Sequence, residues 1–318
     1  MRAATGTWAL DRQRHAQPAN RARRFEILSS LFAMVALAVA VAPMIIEQTT
    51  EGTGADRATA TSTPNPVYAP VGGETMFAGY SGVPYTYASD VHVKKTGVHD
   101  FTAKNIDWEG KPFVNPIYYG ARIVRWLGDG RTGTMLDFTH SKTLSKLDDE
   151  VEFTGTINGA PAPERAALRS IFKKLEASHG HNMLTLNGLL RLPSPALRVQ
   201  PYVGLGVGVS LPHSEVQMAN NDKRTYEYQV AGLVGQALFG IEFRTARVSY
   251  FFEYKFTFAP YEMPLSERDG SILFYDLWLQ FKDWMSGEEP PGGRLTTDLA
   301  SHQVVGGIGI RTAPAAAP

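Results

Sequence analysis

The chain has no cysteine among its 318 residues. That excludes disulfides, thiol catalysis, iron–sulfur clusters and zinc–thiolate sites. It also has no net charge, with 31 basic against 31 acidic side chains, so nothing in its electrostatics calls for nucleic acid. Long hydrophobic runs are nearly absent. Only Ile27 to about Ile46 approaches the length that crosses a bilayer as a helix. No G-x-S-x-G elbow is present. The GLGVGV run at 204–209 sits inside a strand-like segment with no helix after it, so it is not a nucleotide loop. No flavin or haem fingerprint is visible.

What is present divides the chain. Residues 1–47 are a basic leader followed by the apolar run. Arg2, Arg12, Arg14, Arg21, Arg23 and Arg24 precede it, and Ala36, Ala38, Ala40 and Ala42 fall within it. That reads as a secretory signal, or as an uncleaved inner-membrane anchor. Residues 48–73 are Pro-, Gly- and Thr-rich without periodicity, as expected of a disordered linker. Residues 312–318 form an Ala/Pro tail.

Between them, residues 74–311 alternate tight turns (128–131, 193–198, 244–247) with long connections (90–116, 145–182, 212–226, 262–296). Short turns at one end and long loops at the other predict an all-β fold, an eight-stranded antiparallel transmembrane β-barrel with long extracellular loops. The strands are expected from Glu74, extending as far as Val93, and over 117–127, 132–144, 182–192, 199–211, 226–243, 247–258 and 298–311. The composition resembles a soluble protein, 43% hydrophobic and 19% charged, because lumen-facing and lipid-facing residues average out.

Parity assigns the faces. In the seventh strand Tyr250, Phe252, Tyr254 and Phe256 share one face, which must meet lipid, and Glu253 and Lys255 share the other. In the third, Leu136 and Phe138 point out and Asp137 and Thr139 in. Arg122 and Arg191 also point in, so the lumen collects cations and carboxylates in near balance. Gly204, Gly206 and Gly208 point in as well, which leaves room for bulky neighbours.

Topology places the histidines. His92, His140, His181, His213 and His302 fall at the outer ends of their strands, beside the acidic Asp90, Glu215, Glu227 and Asp298. Histidine with carboxylate suits a divalent metal or general acid–base work. The expected metal set is His140, His213 and Glu215, with Asp137 or Glu253 as a base from the lumen. Loop-end histidines also occur at interfaces with no such role, and that alternative stays open. His140 shares the face of Leu136 and Phe138, so either a bulge re-aims it or it meets the headgroups directly. A His–Ser dyad on one face needs H-x-S, whereas Ser141 and Ser214 directly follow His140 and His213.

Two loop segments read as helical. In 161–178, Ala167, Leu168, Ile171, Phe172 and Leu175 recur at helical spacing after Pro161 and Pro163. In 271–285, Phe274, Leu277, Trp278, Phe281 and Trp284 form an amphipathic stripe. It is suited either to the outer-leaflet interface or to packing over the barrel mouth.

The segments LDFTHSK (136–142), PYVGLGVGVSLPHSEV (201–216) and EYKF (253–256), in this order within 74–311, resemble the outer-membrane lipid A oxidase family of rhizobial type. The resemblance implies oxidation of the proximal glucosamine of lipid A to 2-aminogluconate. Molecular oxygen would be the co-substrate and hydrogen peroxide the by-product. It implies lipid A, or lipopolysaccharide, and outer-membrane lipids as partners of a monomer in the outer membrane of a Gram-negative bacterium. The candidate catalytic residues remain those read from the chain: Asp137, His140, His213, Glu253 and Lys255. The alternative is a non-enzymatic barrel, either a structural protein, a small-solute channel or an adhesin. Two departures from the family are the terminal RTAPAAAP and the long fourth loop.

Overall fold

A computed structural model of the chain describes residues 70–194 and 196–312. The leader, most of the linker, Pro195 in the 193–198 turn and the tail from residue 313 lie outside the described residues. The first strands are β1 (Thr75–Thr86), β2 (Ser89–Lys95), β3 (His99–Ile106), β4 (Trp108–Glu109), β5 (Tyr119–Trp126) and β6 (Thr132–Ser145). Next come β7 (Glu150–Ile157), β8 (Ala160–Pro161), β9 (Arg165–Ala167), β10 (Phe172–Arg191) and β11 (Val199–Ser210). The chain ends with β12 (His213–Met218), β13 (Thr225–Tyr228), β14 (Gly232–Arg244), β15 (Val248–Pro264), helix α1 (Leu273–Ser286) and β16 (Arg294–Thr312).

Eight strands close a ring. The order β1–β5–β6–β10–β11–β14–β15–β16 is antiparallel throughout, and β16 returns to pair with β1 from Thr75↔Thr312 to Thr86↔Ser301. A closed ring leaves no free edge. The three tight turns fall where the spacing placed them. In the first, Asp129 Oδ1 accepts the backbone N–H groups of Arg131 and Thr132 at 2.9 and 3.0 Å, a local closure that Asp makes readily.

The two faces of this wall invert the usual order of a protein in water. Phe77, Ile123, Leu186, Leu205, Phe239, Phe252 and Ile308 are exposed on the outside, while Arg122, Asp137, Glu253 and Lys255 are buried inside. Strand β5 alternates strictly between exposed and buried along its length. Bulky inward rings fit because glycines face them. A Cβ on Gly120 would lie 1.9 Å from Tyr80 Cζ, and one on Gly240 2.4 Å from Tyr202 Cζ.

The interior is layered. Nearest the tight turns, Glu74 binds Arg244, Arg311 and Arg191. An apolar layer of Met76, Val124, Met135, Leu189 and Leu238 follows, then the Arg122–Asp137–Glu253–Lys255 layer, with the cluster of Tyr80, Tyr118, Phe251 and Val305 packed against it. A cavity of about 10 Å³ among Met76, Arg122, Trp126, Tyr202 and their neighbours has room for at most one water.

The long connections are mostly strand, which corrects their reading as loops. β2 adds to the outer part of β16, and β3 and β7 follow it. β12 and β13 add beside the outer half of β10. Together with the outer ends of β10, β15 and β16 they enclose an apolar core that includes Val93, Phe101, Phe153, Phe172, Val216 and Leu295. This cap closes the long-loop end.

Two further corrections follow from the cap. The 161–178 segment is not a helix but β9, one 3-10 turn (Leu168–Ser170) and the start of β10. Leu168, Phe172 and Leu175 are buried as the spacing implied, but pairing of β10 with β12 outweighs local helical preference. The expected sixth strand breaks in two, because its first residues pair within the cap and the rest joins the ring. Gly232, at φ +148°, makes the junction where its α-carbon passes against Pro260, and a Cβ there would sit 2.4 Å from the Pro260 carbonyl oxygen. The first strand likewise ends at Thr86, and β2 starts anew at Ser89. The amphipathic 271–285 stripe is helical, as α1.

Candidate functional site

Three of the candidate catalytic residues meet inside the ring. Arg122 donates to both oxygens of Glu253 at 2.8 and 2.9 Å and to Asp137 Oδ1 at 3.2 Å. Lys255 Nζ donates to Asp137 Oδ2 at 3.2 Å, to Thr139 at 2.8 Å and to the Tyr80 hydroxyl at 2.9 Å. Tyr202 donates to Glu253 and Gln236 to Asp137. Every carboxylate oxygen and cation in the layer is paired, and the layer is closed above and below by packed side chains. Buried charges persist in this form only when each is compensated. Nothing there is free to meet a substrate. A carboxylate serving as base to the rim histidines does not fit either, because Asp137 and His140 lie on opposite faces of β6.

His140 stands on the outer face. Its ring stacks on Tyr119 with centroids 4.7 Å apart and an interplanar angle of 18°. Tyr119, His140 and Asn182 form one row across β5, β6 and β10. Asn182 Nδ2 donates to the Leu211 carbonyl at 3.1 Å, which turns its Oδ1 toward His140 Nδ1 at 2.8 Å. That Nδ1 must therefore carry the proton, and Nε2 is left as a lone-pair base. Nε2 is buried without a partner.

Two residues below this row, about 7 Å down the strands, lies the row Ala121–Phe138–Leu184, and below that Ile123–Leu136–Leu186. These residues, with Phe77 and Ala78, line an apolar groove of about 440 Å³ on the outside of the wall. Small side chains at Gly79 and Ala121, which pair across β1 and β5, make the depression. His140 thus crowns a groove with the chemistry of a hydrocarbon chain.

Above the row, a register shift in β10 between Ala177 and His181, with Gly180 at φ +144°, puts His179 on the exposed surface. His179 interacts electrostatically with both His140 and His213. Its ring lies 5.4 Å from that of His213 and 5.3 Å from that of Tyr226. His213 is packed edge-on against Tyr226 and Tyr228 and donates through Nε2 to the Gly270 carbonyl at 3.2 Å. Burial pushes its pKa down, so it is held neutral. The cluster then reads Tyr119, His140, Asn182, His179, His213, Tyr226 and Tyr228, with Tyr119 and His179 exposed and His140, Asn182 and His213 buried beneath them. His179, Asn182 and the tyrosines were missed in the sequence. The one signal for His179 was Gly180 between two histidines, a place where strand alternation can slip.

The other rim residues disperse. His181 points inward and bonds the Tyr261 hydroxyl. His302 lies between the hydroxyls of Tyr87 and Tyr254. His92 pairs with Asp100, Asp90 with Lys104, and Glu227 with Arg268. The expected metal set does not assemble. Glu215 Oε1 accepts from Arg224 at 2.8 Å, and among the described residues no group of three or more His, Asp or Glu side chains converges to hold a metal ion. The reason is local: β12 runs up the cap wall and directs Glu215 to the basic end of β13.

No protein-family model and no curated protein matches the chain. Among solved structures it is similar to the N-terminal β-barrel domain of Pseudomonas aeruginosa OprF, at 10% identity over 76% of this chain and 98% of that one, TM-score 0.31. It is also similar to Neisserial surface protein A, at 10% identity over 74% and 96%, TM-score 0.29. Likeness at this level adds nothing to what the strand pairing itself shows, and none of it identifies a lipid A oxidase family.

Proposed function

We propose that the chain is an eight-stranded outer-membrane β-barrel that acts on lipid A through the outward-facing His140 site. The apolar outer belt and polar, filled interior are what a bilayer-spanning barrel requires. Among the described residues no helix is long and apolar enough to cross a membrane. The tight turns face the periplasm and the cap faces outward.

The observation that carries the lipid A reading is the placement of His140. It lies on the lipid-facing side of β6, at the outer end of the strands, buried beneath the exposed Tyr119 ring, with an unpartnered Nε2 one row above an apolar groove. An acyl chain lying in the groove brings its sugar to the histidine row from within the leaflet. The reaction follows the family resemblance. The hemiacetal of the proximal glucosamine loses two electrons, its C1 hydrogen and its O1 proton to become a lactone, and oxygen takes up the two electrons and two protons as hydrogen peroxide. Water then opens the lactone to 2-aminogluconate. His140 Nε2 is the base placed to take the O1 proton. His179 and the neutral His213 line the path by which it leaves. The donor set does not suit a metal, and no step here passes through one.

A structural barrel is the second reading, favoured by the complete pairing of the interior charges. A solute channel does not fit an interior filled with side chains. Mass spectrometry of lipid A from aerated cells with and without the protein separates the readings. Oxidation adds one oxygen atom to lipid A. An unchanged profile removes the oxidase and leaves the structural barrel.

A further inference from the structure

Helix α1 is mounted inside out. Asp276, Gln280 and Asp283 recur at i, i+4 and i+7 and form its polar face. That face is tied to the protein. Asp276 is 1% exposed and accepts the Tyr228 N–H at 3.2 Å. Gln280 accepts the Val230 N–H at 2.8 Å and donates to the Val230 carbonyl at 2.9 Å, so a side chain completes the backbone pairing of the β13–β14 junction. Asp283 pairs with Arg268. The opposite face carries Phe274, Trp278, Phe281 and Met285, with Trp284 beside them, and it points away from the protein. Phe274 is 83% and Trp284 70% exposed. A helix at rest in water turns the other way.

This face continues the belt. Val230, gripped by Gln280, is itself exposed, and Leu233, the next large side chain along, is 72% exposed on the outer face of β14. The aromatic composition, two tryptophans, two phenylalanines and one tyrosine with one lysine among them, is that of side chains at the boundary of headgroups and acyl chains. A large exposed apolar patch that runs into a membrane-facing belt has its partner in the same membrane.

We infer that α1 is an interfacial helix whose Phe274–Trp278–Phe281 face is embedded in the outer leaflet of the membrane the barrel spans. The inference rests on the spanning reading and not on lipid A oxidation. Its consequence lies next door. Gly270 and Asp276 hold His213 and the end of β13, so the embedded helix braces the histidine surface at a fixed depth.

The absence of cysteine makes the test clean. Spin labels at Phe274→Cys, Trp278→Cys and Phe281→Cys are compared with a belt control, Leu205→Cys, and a cap control, Glu164→Cys. The full chain is reconstituted in phosphatidylethanolamine–phosphatidylglycerol vesicles, and collisions with oxygen and with a soluble nickel chelate are measured. The expected oxygen-to-chelate ratio at 274, 278 and 281 is several-fold above that at 164 and close to that at 205. Chelate access like that at 164 places the helix in water and overturns the inference. Protection from both reagents places it against protein, such as a second copy, and also overturns it. If 205 itself behaves like 164, the spanning reading fails and the inference goes with it.

Discussion

Asp137 and His140 lie three residues apart on β6 and face opposite worlds. Asp137 points into the ring, where Arg122, Lys255, Tyr80 and Gln236 hold it and none of its surface is exposed. His140 points outward, with one nitrogen oriented by Asn182 and the other unbonded. Both residue types are common in catalytic sites. What separates them is unused bonding capacity. The inner groups are fully committed to one another, so they act on the fold, whereas the outer group, though also buried, keeps one nitrogen without a partner, and that unused capacity is what the proposed lipid A reading uses.

The largest effect expected from breaking this contrast is on the inner side. Arg122→Ala leaves Glu253 and Asp137 buried without their main partner, at a cost of about 3–5 kcal/mol. Urea unfolding in lipid vesicles should show a loss of this size, and a change under about 1 kcal/mol would mean that water reaches the layer. Lys255→Met should lower stability in the same assay and leave the lipid A product per folded molecule unchanged.

On the outer side, His140→Ala should abolish the oxidised lipid A product while the barrel stays folded, as judged by heat-modifiable migration on gels. His213→Ala is expected to act in the same direction by loosening the Tyr226–Tyr228 packing that supports the row. Full product from both variants would make these histidines bystanders and return attention to Glu253 and Lys255. Smaller again is Ala121→Trp, which fills the floor of the groove. It should raise KM for acylated lipid roughly tenfold, about 1.4 kcal/mol, with kcat unchanged. A matching fall in kcat would place the groove in the chemistry instead of in binding.

The smallest effect is a pH dependence of the cap. His213 has its folded pKa lowered by burial, so the unfolded chain binds a proton more readily. The stability this contributes is present above the unfolded value near 6.5 and is lost as pH falls below it toward the folded value. Protection factors of the β12 and β13 amides, corrected for the slower intrinsic exchange at lower pH, should therefore fall between pH 7.5 and 5.5 in the native protein. His213→Gln should flatten that response, and an equal response in both would assign it to other groups.

Much of this was legible in the chain. The tight turns, the inward Arg122, Asp137, Glu253 and Lys255, and the outward Leu136, Phe138, Leu205 and Phe252 follow from a period of two, and the observed strands keep that parity. The helical stripe at 271–285 was legible too, because a spacing of 3.6 is equally local. The site was less so. His140 was placed on its outer face correctly, but its neighbours come from β5 and β10, and His179 reaches the surface only because β10 shifts register at Gly180.

The sequence by itself determined which side chains share a face, because alternation is a property of consecutive residues. Only the tertiary structure decided what each face meets. The 145–182 and 90–116 segments became a cap because distant strands offered them pairing partners and a shared apolar core, which no local pattern encodes. Glu215 went to Arg224 and not to His140, because the path of β12 set its reach. Helix α1 turned its aromatics outward because Val230, Tyr228 and Arg268 captured its polar side. Register, partner and direction are set by contacts between residues far apart in the chain, and those depend on closure of the ring as a whole.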